Sequence, residues 1–522
     1  MRTTDDRAIA AALRRRQLLE AGFLALLLLI PILLYLPFMH APFERDEGTY
    51  ATIAQGLLHG KLPYRDLFDN KPPLIYGWYA ISFLLFGETV SAPRLLASAC
   101  LSLTGVALYQ QVRLVLPKRV AVLSALLFAI STGLPMVALN ANTEAYMLLP
   151  LVSSLMFFTF GLQRGGSRWF FLSGLAAGLA IMTKQVAVFN LLALAAVSLV
   201  WYRRHATTQL QAISPACWML GGAAVSSALV ALPFALSGAL SDFVYATLSY
   251  NWAYISFLTL AQRLENMGYG VLFFCLIAAP FVAGALGGIW VVWQKRASAT
   301  AADYALVLWA VASAIGVASG GRFFPHYFLQ LMPALAVLTA IVIYDRVLDG
   351  KYRALGKPFW AGALALVVIS IGTASIMVAL PGRAEEQVAS NVYTQKQWEQ
   401  YSEELGEYIQ AQTGPNDVIF NYGLEPQVYF YANRQPAIPY FNDWVLKYDA
   451  VPMQDIINDL DGTQPAYIID SIQAPLFDNF GAAHPPMWRD FMAAHYDYVG
   501  RVQFADVYRL KGYVTPPDAG QP

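Results

Sequence analysis

The sequence predicts an α-helical polytopic membrane protein with a small α/β domain at its C-terminal end. Three observations carry that expectation: apolar runs of spanning length, a scarcity of charge, and a change of character near Leu380. Of 522 residues, 57% are hydrophobic and 13% charged, whereas soluble domains carry about a quarter charged residues. Apolar runs of about 20 residues, enough to cross roughly 30 Å of hydrocarbon, recur from Gly22 to Leu380. Beyond Leu380 the chain has 19 acids and 8 bases and alternates helical with strand-like patterns.

Taken in order, the spans are expected at 19–39, 91–114, 120–138, 144–162, 169–183, 186–202, 215–236, 269–293, 304–320, 327–344 and 358–380, about eleven in all. Only Thr183-Lys184-Gln185 separates 169–183 from 186–202, so these read either as two spans or as one broken helix. Arg14-Arg15-Arg16 before the first run resembles the start of a signal peptide, but the run is long and lacks a small-residue cleavage site, so it reads as an anchor. With residues 1–18 in the cytoplasm, about 18 cations fall on that face and about 8 in the opposite loops, a positive-inside bias. Residues 381–522 are then extracytoplasmic and the chain sits in the cell (inner) membrane. In that domain, helices are expected at Tyr401 to Gln412, Asp455 to Leu460 and Phe491 to Tyr496. Strands are expected at Asp417 to Asn421, Ala466 to Asp470 and within Tyr498 to Leu510.

Formal net charge is zero, which argues against a nucleic-acid partner. Cys100, Cys217 and Cys275 lie in apolar segments without metal-like spacing and read as packing residues. The glycine pairs Gly165-Gly166 and Gly287-Gly288 lack the spacing of a nucleotide fingerprint.

The first outer loop, 40–90, is unusually long for a loop within the membrane domain 19–380, and long loops in compact proteins are usually functional. It holds Arg45-Asp46-Glu47, Asp69-Asn70-Lys71-Pro72-Pro73, and an apolar stretch from Leu74 to Phe86 that is too short to span upright. Carboxylates at a membrane mouth are costly unless they face water, a cation or a reacting group. Glu144, Lys184, Arg322 and His326 map to the same outer face. Acids, cations and a histidine on one side of a helical bundle suit transfer from a lipid-linked phosphate: a carboxylate takes a proton from an acceptor while cations stabilise the departing phosphate. The ordinary alternatives are snorkelling for Lys184 and Arg322, helix capping for Glu144, and packing of His326 on Tyr327. A multi-span lipid or glycolipid flippase is the alternative function; it would place ionisable residues at span midplanes rather than at their outer ends.

These residues resemble the membrane glycosyltransferases of GT-C type, especially bacterial relatives of protein O-mannosyltransferases and of the aminoarabinose transferase of lipid A. The resemblance rests on Arg45-Asp46-Glu47-Gly48-Thr49-Tyr50, Asn70-Lys71-Pro72-Pro73-Leu74, Ala92-Pro93-Arg94-Leu95-Leu96, Gly178 to Lys184, and Pro325 to Leu335. It implies inverting transfer of one sugar from a polyprenyl-phosphate donor to an extracytoplasmic lipid, polysaccharide or protein. Asp46 takes the place of the general base, with Glu47 as a supporting catalytic acid. Lys71 takes the place of the donor-phosphate lysine, joined by Arg322 and Lys184. Glu144, His326 and Tyr50 are auxiliary or face the acceptor. Some relatives place a metal-binding glutamate before that lysine; Asn70 stands there in this chain, so no metal is assigned, and the lipid-linked sugar is substrate rather than cofactor.

Overall fold

The computed structural model describes residues 4–134, 140–205, 207–298, 300–348, 396–423, 425–442, 451–471, 484–503 and 505–521. The chain forms two compact units: residues 1–37, 94–227 and 258–377, and residues 38–93, 228–257 and 378–522. The expected span at 358–380 lies outside the described residues.

The first unit is helical. Its elements are α1 (Thr4–Tyr35), most of α4 (Ser91–Val115), α5 (Lys118–Ser131), α6 (Thr143–Arg164), α7 (Ser167–Thr183), α8 (Val188–His205), most of α9 (Gln209–Leu236), α12 (Leu260–Ile277), α13 (Ala279–Gln294), α14 (Ala301–Ser319) and α15 (Met332–Ile343). Among the described residues, seven helices are long and apolar enough to cross a membrane, or eight if the bent pair α12–α13 counts as one. The described parts of α5 and α7 have 14 and 17 residues, below the length of an upright span. The span expected at 269–293 falls across two helices, α12 and α13, which meet at 92°. Pro280, at the start of α13, has no N–H for the preceding turn, and such a residue ends or kinks a helix.

Without a hydrophobic drive between helices in lipid, small residues and interhelical hydrogen bonds carry the packing. Ser154 and Ser173 hydroxyls lie 3.1 Å apart across α6 and α7. The Asn190 amide donates to the Trp309 carbonyl at 3.1 Å and to the Ser313 hydroxyl at 3.0 Å, joining α8 to α14. The Gly165-Gly166 linker runs at φ 67° and 92°, a path that requires glycine. Between α7 and α8 the chain extends at Lys184 (φ −152°, ψ 123°) and then makes a short 3₁₀ turn, so the two are separate helices.

The second unit contains α2 (Arg45–Leu58), α3 (Leu74–Phe86), the short α10 (Leu240–Val244) and α11 (Tyr250–Ser256), and the C-terminal elements. These last are α16 (Lys396–Gln412), β1 (Val418–Tyr422), α17 (Gln427–Ala432), β2 (Gln435–Pro436), α18 (Met453–Thr463), β3 (Tyr467–Asp470), α19 (Pro486–His495), β4 (Tyr496–Val502) and β5 (Ala505–Leu510). The sheet runs β2-β1-β3-β5-β4. β1 is parallel to β2 and β3, whereas β5 is antiparallel to β3 and β4. Phe420, Ile456, Leu460, Ile468, Trp488 and Phe491 form its core. The sheet and its helices agree with the expected small α/β layer. The stretch from Leu74 to Phe86 is one 13-residue helix, as its length predicts.

Candidate active site

In the second unit Asp46 and Glu47 open α2, so the cluster expected in a loop stands on the first turn of a helix. Their surroundings differ. Glu47 is fully buried, and one carboxylate oxygen accepts the Glu44 N–H at 3.2 Å, the reciprocal contact of a capping box. Asp46 is only half-buried. Acids in the first turn also complement the positive end of the helix dipole.

The C-terminal elements hold this turn in place. The Phe43 N–H donates to the Tyr431 hydroxyl at 2.8 Å, and the Phe43 ring packs edge-on to Phe430 at 4.9 Å. The Thr52 hydroxyl donates to the Pro426 carbonyl at 3.2 Å. Gly48 lies so close to Gln427 that a β-carbon there would sit 2.5 Å from its Cβ and 2.7 Å from its Cα. Glycine therefore sets the approach of α2 to α17. Further along, the Phe68 N–H donates to the Pro439 carbonyl at 2.9 Å, and the Asn442 amide returns a 2.9 Å bond to the Phe68 carbonyl.

Lys71 lies beside the same turn, its ammonium 5.9 Å from the centre of the buried Tyr50 ring and 3.4 Å from Asn70 Oδ1. Its backbone carbonyl accepts from the Tyr64 hydroxyl at 2.8 Å and the Tyr76 hydroxyl at 3.3 Å. Tyr64 is buried at φ 74°, a left-handed conformation costing a side-chain-bearing residue on the order of 1–3 kcal/mol. A 2.7 Å bond from its N–H to the Leu67 carbonyl fixes that turn. The Asn70 amide donates to Asn251 Oδ1 at 3.1 Å, and the Asn251 amide donates to the Asn70 carbonyl at 2.7 Å.

Asp69 was not singled out by the sequence reading. It is buried and accepts the Tyr76 hydroxyl at 2.8 Å. Burial is the largest influence on its carboxyl and pushes it above the usual range, with the nearby Asp46 charge adding to the rise. Lys71, the Asn70 N–H and the Tyr76 hydroxyl pull the other way. Asp46, Asp69, Lys71 and Tyr50 thus share one electrostatic neighbourhood. The only sequence signal for Asp69 was its place two residues before Lys71.

In the first unit, Glu144 stands on the first turn of α6, fully buried and ion-paired with Lys184. Its second oxygen accepts the Thr143 hydroxyl at 2.9 Å. The Lys184 ammonium also lies 3.9 Å above the Tyr327 ring, and His326 meets that ring edge-on at 4.8 Å. Glu144, Lys184, His326 and Tyr327 therefore form one cluster, in which the ion pair is buried and His326 and Tyr327 are half-buried. Arg322, also buried, occupies a turn between Gly321 at φ 66° and Phe323 at φ 51°. Lys184, expected to bind donor phosphate, already has a carboxylate partner and an aromatic face.

Among the described residues no three His, Cys, Asp or Glu side chains gather as metal ligands. Asn70, which stands directly before Lys71, has its amide engaged by Asn251. The residues present do not fit a bound metal, and no step is drawn through one.

Residues 70–236 match the family described as dolichyl-phosphate-mannose-protein mannosyltransferase. No curated protein matches the chain by sequence. In structure, ArnT from Cupriavidus metallidurans bound to undecaprenyl phosphate is similar at TM-score 0.62 and 16% identity, over 95% of this chain and 99% of that one. The archaeal oligosaccharyltransferase AglB from Archaeoglobus fulgidus, in complex with an inhibitory peptide and a dolichol-phosphate, is similar at TM-score 0.56 and 15% identity, over 96% and 75%. The Archaeoglobus fulgidus oligosaccharyltransferase tethered with an acceptor peptide gives 0.56 and 16%, over 95% and 74%. With its apolar spans, its small C-terminal sheet and these neighbours, the chain is a multi-pass membrane protein with the GT-C fold of the membrane glycosyltransferases.

Proposed function

We propose that this protein moves a single sugar from a polyprenyl-phosphate donor to an extracytoplasmic acceptor, with inversion at the anomeric carbon. The observation that carries the reading is the half-exposed Asp46 on the first turn of α2, in the same electrostatic neighbourhood as Lys71. It is supported by a fold whose solved examples include ones bound to undecaprenyl phosphate and dolichol-phosphate. Asp46 takes the proton of the acceptor hydroxyl or amine as that atom bonds to the anomeric carbon. The bond from that carbon to the phosphate oxygen breaks on the opposite face, and Lys71 stabilises the departing phosphate charge. Glu47 holds the turn that carries Asp46, and the Glu144–Lys184 pair with His326 forms a supporting cluster. A cytoplasmic N-terminus and an extracytoplasmic domain 381–522, where the acceptor is met, are supported by the excess of basic residues in the loops on the N-terminal side.

The decisive experiment is Asp46→Asn in purified full-length protein, with transfer measured from a polyprenyl-phosphate sugar. A general base contributes about 10²–10⁴-fold, so the variant should lose at least a hundredfold in kcat while inserting and expressing normally. Retained transfer overturns the assignment. Lys71→Ala should raise KM for donor more than for acceptor; equal changes would remove its phosphate role. Mass spectrometry of envelope glycans and lipids with and without the protein identifies sugar and acceptor as one missing substituent.

A further inference from the structure

A buried carboxylate two residues from a donor-phosphate lysine is an odd neighbour for an anion to be accommodated. The enzyme must bring a phosphate to Lys71 while Asp69 and Asp46 already hold negative charge nearby. Three of Asp69's surroundings bear on this. Its loop cannot swing it away, because the Tyr64 and Tyr76 hydroxyls hold the Lys71 carbonyl and Asn251 holds Asn70 through both backbone and side chain. Its carboxylate is buried, with a 2.8 Å bond from Tyr76. Its charge acts on Lys71, the cation the phosphate requires. The titratable groups facing it are Asp46 from α2, Lys71 from its own loop, Tyr76 from α3 and, through the Lys71 carbonyl, Tyr64.

We propose that Asp69 is a positioning residue that couples donor binding to proton uptake: its carboxylate balances Lys71 in the empty enzyme and is protonated from solvent when the lipid phosphate takes over that role. The proton balance is simple. One H⁺ from water joins Asp69 as the anion docks, and it returns when the phosphate product leaves. Burial and Asp46 already favour the protonated form, and an arriving anion favours it further. Binding of an anion beside a group that can protonate tightens as pH falls toward the bound-state value of that group. Asp69 does not touch the reacting atoms, so its effect belongs to donor affinity and its pH dependence rather than to the chemical step.

The inference rests on Lys71 contacting donor phosphate, and the experiment separates the two. Binding of undecaprenyl phosphate in detergent is measured on the full-length protein from pH 5.5 to 8.5, with proton uptake read from calorimetry in buffers of different ionisation enthalpy. The lipid phosphate's own second ionisation, near pH of about 6, is common to all variants and cancels between them. Wild type should bind more weakly as pH rises, with net uptake of a proton beyond that of the ligand. Asp69→Asn keeps an oxygen acceptor for the Tyr76 hydroxyl and should bind at least as tightly as wild type at high pH, without the extra uptake. Tyr76→Phe removes a hydroxyl that stabilises the carboxylate, and should move the wild-type pH midpoint upward. If Asp69→Asn keeps the full wild-type dependence and uptake, the proposal fails while the donor reading stands. If wild type does not bind the lipid phosphate at any pH, both fail.

Discussion

Asp46 and Glu47 are adjacent acids with different work, and burial decides which does which. Glu47 caps its own helix, so Glu47→Ala should cost about 1 kcal/mol of stability, read as a lower unfolding temperature in detergent. Glu144 and Lys184 give a sharper contrast. Breaking a buried ion pair by removing one partner costs about 3–5 kcal/mol, whereas replacing both by apolar residues is often neutral. Glu144→Leu alone should therefore be strongly destabilising and the double change with Lys184→Met much less so, in a double-mutant cycle of thermal unfolding. If the double variant is also inactive although stable, the cluster contributes chemistry and not only support. At this scale the sequence is legible where position alone draws the eye: Asp46 and Lys71, the proposed base and phosphate ligand, stand out in an over-long polar loop. Asp69 was not, because its chemistry arises from Tyr76 and Asp46, which the fold brings to it.

The helices were read by length and hydropathy, and that succeeded for α3, whose 13 apolar residues are visibly too few to span. It missed α2 because the buried positions there are mostly small or polar, such as Gly48, Thr52, Ala54 and Gln55, and leave no apolar period to detect. It also missed the 92° break between α12 and α13, since a proline early in an apolar run does not alter the hydropathy that defines a span. The approach of α2 to α17 is the element-level feature most open to test. Gly48→Ala forces a methyl group into the Gln427 backbone, and overpacking of this kind costs about 1–3 kcal/mol. Transfer should fall while donor KM stays near wild type, because the change displaces Asp46 rather than Lys71; Tyr431→Phe, which weakens the hold on Phe43 without adding bulk, should give a milder version of the same split. Unchanged kcat in both would show that α17 does not position the first turn.

For the whole molecule, a bundle of several apolar spans and a small C-terminal sheet were foreseeable, but the sheet order β2-β1-β3-β5-β4 and the shared unit of residues 38–93 with the C-terminal elements were not. Both depend on pairings between distant segments, which single-sequence patterns do not encode. Removing the chain from residue 396 onward should leave an inserted but inactive protein, measured by membrane fractionation beside transfer. A temporal consequence follows from the bond between Phe43 and Tyr431, which are 388 positions apart. At about 5–20 residues per second of synthesis, roughly 20–80 s pass between the emergence of the proposed base and that of the residues that brace it. During that interval the nascent chain meets its membrane with the first turn of α2 unsupported, so the proposed transfer waits on the synthesis of the bracing C-terminal elements.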